Sequence, residues 1–207
     1  MDANLQLLKT YDVTVRIRTT ITETSVSLMP DMVEFVHKRY PFIKDIQMEL
    51  VQDDSINYDS FTSLFIEHFY KAKELGILYG ISIYNMLVSS VSTLNYRFCK
   101  GEFCVTPDNY IVSCQRVSSE SDEHFKLFKY GNIEDSKVRI DKTSLETISS
   151  FENYKGAHCA DCFAKYHCAG ICPSLRASLS QQNLNSYCNY SKRIVLNELL
   201  WQINHLK

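Results

Sequence analysis

The distribution of cysteines constrains this chain more than any other sequence feature. The 207 residues include eight cysteines, and the first 98 residues contain none of them. The eight are Cys99, Cys104, Cys114, Cys159, Cys162, Cys168, Cys172 and Cys188. The N-terminus has an early acidic residue and no apolar export segment, so we expect a cytoplasmic protein whose thiols serve metal or redox chemistry. Eight thiolates are enough for two four-thiolate sites.

Composition excludes several other classes of function. Lys and Arg number 22 and Asp and Glu number 24, which gives a formal net charge of −2. This balance gives no support for a broad nucleic-acid or anionic-membrane surface. The longest apolar runs, such as Ile77 to Ile83, are far too short to span a bilayer. We therefore expect no nucleic-acid partner and no membrane partner.

The region before the first cysteine alternates between strand and helix patterns. Residues 11–21 and 43–51 contain alternating apolar side chains, which is typical of strands. These are Val13, Val15 and Ile17 in the first range and Ile46, Met48 and Leu50 in the second. A helix is predicted between Pro30 and Pro41, and a longer one from Asp59 or Ser60 to a C-terminal cap at Gly76. A short strand over residues 78–83 and a helix over residues 86–94 complete the series.

This β-α-β-α-β-α order predicts a parallel sheet with right-handed crossovers. Three strands are too few to close a barrel, and the first strand leaves one sheet edge without a partner. Residues 1–96 are therefore interpreted as a fragment of a larger α/β unit, or as a half that docks on another structure. The alternative is a small three-stranded domain that is complete in itself.

Residues 97–207 form the predicted cysteine-rich domain. It contains CKGEFCVTPDNYIVSC, then CADCFAKYHCAGIC, and finally Cys188. Pro107, Asp108 and Asn109 predict the turn of a hairpin, with a short strand after it. A Cys-x2-Cys step lets two thiolates reach one metal ion or one cluster. Spacing alone leaves iron–sulfur and zinc open, and disulfides would need an oxidising compartment.

This spacing resembles the C-terminal half of radical-SAM enzymes with the SPASM extension, which modify ribosomally made peptides and proteins. That motif is Cys, nine to fifteen residues, Gly, four residues, Cys, a gap, Cys-x2-Cys-x5-Cys-x3-Cys, a gap and Cys. Here Cys99 is followed by nine residues, Asn109, four residues and Cys114. The central block fits without insertion, and KLFKYGNIEDS resembles the stretch between the two cysteine groups. Residues 11–94 resemble the last βα units of the partial radical-SAM barrel.

The resemblance implies an α/β chain with two parts: an incomplete, parallel βα barrel and a SPASM domain of a short hairpin and helices. It also implies two auxiliary 4Fe–4S clusters; two zinc ions are the alternative. The ligands that it implies for the first cluster are Cys99, Cys104, Cys114 and Cys172. Those that it implies for the second are Cys159, Cys162, Cys168 and Cys188. Spacing alone would more naturally place the four closely spaced cysteines on one cluster.

Several residues depart from the family pattern. Asn109 stands where the family has Gly, and Asn tolerates a positive φ better than most residues. Ala169-Gly170 replaces the usual Gly-Gly. Gln115 replaces an Asp that serves as a base in members that oxidise a protein side chain, and an amide cannot accept a proton usefully near neutral pH. Sulfatase-maturation chemistry is therefore not expected.

The largest departure is the missing radical-SAM triad, Cys-x3-Cys-x2-Cys. Cys168 and Cys172 have the first gap, but Leu175 occupies the third position. This chain alone is not expected to cleave S-adenosylmethionine, unless a missing N-terminal half or a partner supplies that site. The expected partners are a precursor peptide or protein substrate and either a chain that supplies the missing barrel half or an ATP-grasp ligase.

A second hypothesis belongs to a different class of function. The chain would then be a non-catalytic module, stabilised by zinc or a cluster, that recognises a precursor peptide. The exposed edge of the α/β region could accept that peptide as an added strand.

Overall fold

The structure, a computed structural model, describes residues 2–11, 13–99, 101–152 and 159–205. Its contacts divide the chain into two compact units: Met1–Thr93 with Gln181–Lys207, and Leu94–Ser180. The predicted mixed α/β class is confirmed, because one sheet is parallel with three strands and the other is antiparallel with four. The C-terminal residues that the sequence assigned to the domain 97–207 belong to the first unit.

The helices and strands are numbered in chain order. The strands are β1 Arg16–Ile21, β2 Asp45–Leu50, β3 Ser82–Tyr84, β4 Cys104–Val105, β5 Tyr110–Val112, β6 Lys129–Glu134 and β7 Lys137–Ile140. The helices are α1 Asp2–Leu8, α2 Met29–Arg39, α3 Tyr58–Tyr79, α4 Met86–Ser89, α5 Phe125–Phe128, α6 Lys142–Glu152, α7 Lys165–Cys168, α8 Pro173–Ser178 and α9 Gln181–His205.

The first unit is built on the parallel sheet β1-β2-β3. Its strand register aligns Ile17 with Ile46 and Ile46 with Ile83. The side chains that alternate with these residues along β2 are only partly buried, so the predicted period of two holds. Helices α2 and α3 pack together on this unit, with Phe61, Phe65 and Phe69 fully buried along α3.

The predicted end of α3 at Gly76 is wrong. The helix begins after Asn57, whose side chain accepts a hydrogen bond from the Ser60 amide, and continues to Tyr79. Gly80 is the C-cap instead, with a φ of 65°. Gly76 lies inside the helix for a packing reason: a Cβ there would stand 2.5 Å from the Ile81 carbonyl oxygen. The sequence pattern does not distinguish a glycine that allows close packing inside a helix from one that ends the helix.

Helix α9 packs against α3 and completes the core of the first unit. Its side chains Tyr190, Ile194 and Val195 are buried. A polar contact lies between the same two helices, where Lys73 Nζ is 2.6 Å from Glu198 Oε2. No helix in the described part of the chain combines the length and apolar character that crossing a membrane requires.

The second unit contains the antiparallel sheet β4-β5-β6-β7. The predicted turn is present: β4 and β5 form a hairpin, and Asn109 in the turn has a φ of 62°. Gly131, within the family-like stretch, lies so close to the backbone of Arg139 on β7 that a Cβ would collide with the Arg139 carbonyl oxygen. One of its hydrophobic core clusters contains Val112, Val117, Phe125 and Phe128.

Candidate metal centre

The hairpin of the second unit brings two of the predicted ligands together. Cys104 begins β4 and is in register with Val112, and Cys114 follows two residues after Val112. The Glu102 amide donates a hydrogen bond of 3.0 Å to the Ser113 carbonyl oxygen, which extends the pairing beyond the strands. The segments that carry Cys104 and Cys114 therefore run side by side.

A backbone hydrogen bond joins the segments that carry two more of the predicted ligands, Cys99 and Cys172. The Phe98 amide donates to the Ala169 carbonyl oxygen at 3.1 Å, so the chain just before Cys99 contacts the turn that leads to Cys172. Cys172 is the N-cap residue of α8, with Pro173 in the first turn. Its carbonyl oxygen accepts a hydrogen bond from the Arg176 amide at 2.9 Å. This helix start holds the backbone of Cys172 in place.

Electrostatic interactions link these four cysteines. Burial is the main cause that raises the pKa of Cys114, and the nearby thiolates of Cys172 and Cys99 raise it further. Burial also raises the pKa of Cys104, followed by a hydrogen bond to Glu102 and by the charges of Cys114 and Cys99. The charges of Cys99 and Cys172 thus act on Cys114, and those of Cys99 and Cys114 act on Cys104. Such a group favours a bound cation, which would stabilise the thiolates.

The turn between Cys168 and Cys172 has an unusual backbone. Ala169, Gly170 and Ile171 have successive φ values of 52°, 90° and 70°. A positive φ is a real outlier for a β-branched residue, and Ile171 is also only 5% exposed. Strain of about 1–3 kcal/mol per such residue persists where the surroundings enforce it, often at functional sites. The Ala169-Gly170 pair of the sequence motif therefore lies in a tight left-handed turn.

Three further cysteines lie along a compact segment of the same unit. The Cys162 amide donates to the Cys159 carbonyl oxygen at 3.3 Å, so the Cys-x2-Cys step is a turn. Cys168 ends α7, and its amide donates to Ala164 at 2.8 Å. All three are half-buried. Cys188 is half-buried on α9 and therefore belongs to the first unit.

The structure does not supply a preformed coordination shell. Among the residues that it describes, no three His, Cys, Asp or Glu side chains are grouped closely enough to hold a metal ion. The eight metal ligands therefore remain predictions. Sequence reasoning also missed Glu102, whose carboxylate oxygen lies 3.4 Å from Cys104 Sγ. The sequence signal for Glu102 is its position two residues before Cys104 in an extended segment, where alternate side chains lie on the same side.

Comparison with known proteins does not assign the chain to a family. A scan against protein-family models finds no match, and no curated protein is significantly similar. The likeness to SPASM proteins therefore depends on the cysteine spacing and on the segments quoted above.

Proposed function

We propose that this chain is the auxiliary iron–sulfur portion of a radical SAM/SPASM-type enzyme that modifies a ribosomally made peptide or protein. The chain would carry two 4Fe–4S clusters, and the site that cleaves S-adenosylmethionine would come from a missing N-terminal half or a partner. Such clusters supply electron transfer, or an iron that can bind and orient a substrate.

One observation carries the proposal. The resemblance implies Cys99, Cys104, Cys114 and Cys172 for the first cluster; the charges of Cys172 and Cys99 act on Cys114, and those of Cys114 and Cys99 act on Cys104. Spacing alone would have grouped the four closely spaced cysteines of the central block instead. The contacts among separated segments thus support the interleaved ligand pairing over the local one.

The residues around these four thiols have definable roles in holding a cluster. The hairpin β4–β5 fixes Cys104 relative to Cys114, and the start of α8 fixes Cys172. Half-burial of the thiols limits contact with water, which tunes the potential of an iron–sulfur site. The Cys104 thiol donates a hydrogen bond to the Glu102 carboxylate. Metal binding would remove the thiol proton and would therefore break this hydrogen bond.

A second function is favoured by a specific feature of the sequence. Because the chain lacks the Cys-x3-Cys-x2-Cys triad, a non-catalytic peptide-binding module is its simplest alternative. Four thiolates would also suit a tetrahedral zinc ion. In that case, the metal would stabilise the fold without redox chemistry.

Metal and sulfide analysis separates these two functions. The protein is purified without oxygen, and iron, acid-labile sulfide, zinc and the visible spectrum are measured on the same sample. We expect about eight iron and eight sulfide per chain, with a broad band near about 400 nm. About two zinc and no colour would instead identify a structural recognition module.

A further inference from the structure

The first unit has a free sheet edge along β1. The sheet order is β1-β2-β3, so β1 pairs only with β2 in the described part of the chain. The Ile21 carbonyl oxygen accepts a hydrogen bond from the Val51 amide, which directs the backbone polar groups of Ile21 towards β2. Because these groups alternate along a strand, those of Arg16, Arg18 and Thr20 point away from the sheet. An added strand would satisfy them.

An apolar groove lies beside this edge. It has a volume of about 780 Å³, and Ile17 of β1 and the side chains Leu28, Met32 and Phe35 contribute to its lining. The last three follow helical spacing and form one stripe. Phe35 is 58% exposed and Leu28 is 48% exposed, so the stripe is open. Every second side chain of a strand added to β1 would contact this apolar groove.

The charges at this edge define what the added strand must carry. Arg16 and Arg18 are exposed on the side of β1 opposite to its buried residues. Arg16 lies 3.8 Å from Asp45, and Arg18, which has no ion pair within 4 Å among the described residues, acts through its charge on the Glu49 carboxylate. Two acidic residues, Asp2 of α1 and Asp31 of α2, also line the groove. Acidic side chains therefore fit the arginine face, and uncharged apolar ones fit the groove.

The same charges argue against a second copy of this chain as the occupant. A copy that added its own β1 would bring Arg16 and Arg18 near the arginines already present, and like charges across strands are destabilising. Exposed charges on an edge strand are also a common protection against self-pairing. The surface thus selects a strand of opposite charge.

We propose that β1 binds an extended segment of the peptide substrate as an added strand, with acidic residues alternating with apolar ones. The identification of the occupant as a substrate rests on the proposed function, whereas the binding surface itself does not. Main-chain hydrogen bonds would supply affinity, and the groove and Arg18 would supply specificity. The substrate would be held at the parallel sheet of the first unit.

The test uses the full chain and a fluorescein-labelled peptide of five Glu-Val repeats, with a Lys-Val peptide as the counter-probe. We expect fluorescence anisotropy to saturate with the Glu-Val peptide and not with the Lys-Val peptide. The double variant Arg16→Glu/Arg18→Glu should weaken Glu-Val binding about tenfold or more and should gain Lys-Val binding. Phe35→Ala should weaken Glu-Val binding without changing the charge preference.

Arg139→Glu is the matched control, because Arg139 is an exposed arginine on β7, an edge strand of the antiparallel sheet. It should leave both affinities unchanged. The proposal is overturned if the wild-type chain binds neither peptide, if charge reversal at β1 has no effect, or if Arg139→Glu has the same effect. Iron content is measured on the same samples, so failure of peptide binding and failure of the cluster proposal are scored separately.

Discussion

At the scale of single residues, Glu102 is the side chain most able to alter the chemistry of the candidate metal centre. Its carboxylate accepts a hydrogen bond from the Cys104 thiol, and this bond favours the protonated form of the thiol. A metal must displace that proton before Cys104 can bind it. The local acid therefore makes the thiol harder to ionise in the metal-free protein.

Replacing Glu102 with Gln should lower the pKa of Cys104 in the apoprotein. Burial still raises that pKa above its ordinary value of 9.0, but the contribution of the carboxylate is lost. Because the thiolate is the nucleophile, alkylation of Cys104 should reach its midpoint at a lower pH in Glu102→Gln than in the wild type. Site-resolved mass spectrometry after iodoacetamide treatment measures this midpoint. An unchanged midpoint would exclude an effect of the carboxylate.

Individual residues also show how much of the site the sequence could predict. The turn residue Asn109 was expected to tolerate a positive φ, and it has one. The influence of Cys99 and Cys172 on Cys114 could not be derived from spacing, because it depends on hydrogen bonds between distant segments. The contact of Phe98 with Ala169 is an example: nothing in the intervening sequence specifies it.

At the scale of elements, the predictions succeeded where burial is periodic. The residues Ile46, Met48 and Leu50 alternate and are all buried, and α2 has Pro30 in its first turn and ends before Pro41 as expected. The predictions failed at Gly76, because a glycine can either end a helix or allow close packing within it. Helix α1 was not predicted, and it has no buried residues to produce a pattern.

The ion pair between α3 and α9 should be a strong determinant of the stability of the first unit. The side chains of Lys73 and Glu198 are only 12% and 3% exposed, and Tyr70 also donates to Glu198 at 3.1 Å. Glu198→Ala would leave the Lys73 charge buried without its partner and should lower the free energy of unfolding by about 3 kcal/mol. Urea unfolding followed by the fluorescence of Trp201, the only tryptophan, measures the loss.

The exposed pair Glu67–Lys71 on the same helix provides the control. Glu67→Ala should cost less than about 1 kcal/mol, because a solvated ion pair contributes little. Equal losses for the Glu67 and Glu198 variants would show that burial of the ion pair between the helices is not what stabilises the unit.

The two glycines near the end of α3 should respond differently to alanine. Gly76→Ala places a Cβ 2.5 Å from the Ile81 carbonyl oxygen and 2.6 Å from Ile83 Cγ1, so it should destabilise the unit by about 2 kcal/mol or more. Gly80→Ala meets no neighbour within 4 Å and should cost about 1 kcal/mol, for its positive φ alone. The same urea experiment ranks them, and the reverse order would contradict this account of the helix end.

At the scale of the whole molecule, the chain combines a parallel α/β unit with a cysteine-rich unit. Parallel sheets normally have both faces covered, yet β1 and β2 carry exposed or partly exposed side chains on one face. This agrees with the interpretation of the first unit as part of a larger assembly. The absence of a Cys-x3-Cys-x2-Cys triad from the sequence agrees with the same interpretation of the first unit.

The isolated chain should therefore fail to cleave S-adenosylmethionine. With reduced, cluster-loaded protein and a chemical reductant, 5′-deoxyadenosine should stay at the level of a protein-free control, because all eight cysteines are assigned to the two auxiliary sites. Chromatography with mass detection quantifies this product. Repeated turnover by the chain alone would refute the assignment of the cysteines.

The central claim is that Cys99, Cys104, Cys114 and Cys172 bind one cluster, and the iron content of Cys114→Ser tests it most directly. Gln115→Ala, at the next residue, is the matched control. We predict that iron and sulfide fall from about eight to about four per chain in Cys114→Ser and remain at about eight in Gln115→Ala. Unchanged iron in Cys114→Ser, or zinc in place of iron in the wild type, would contradict the account.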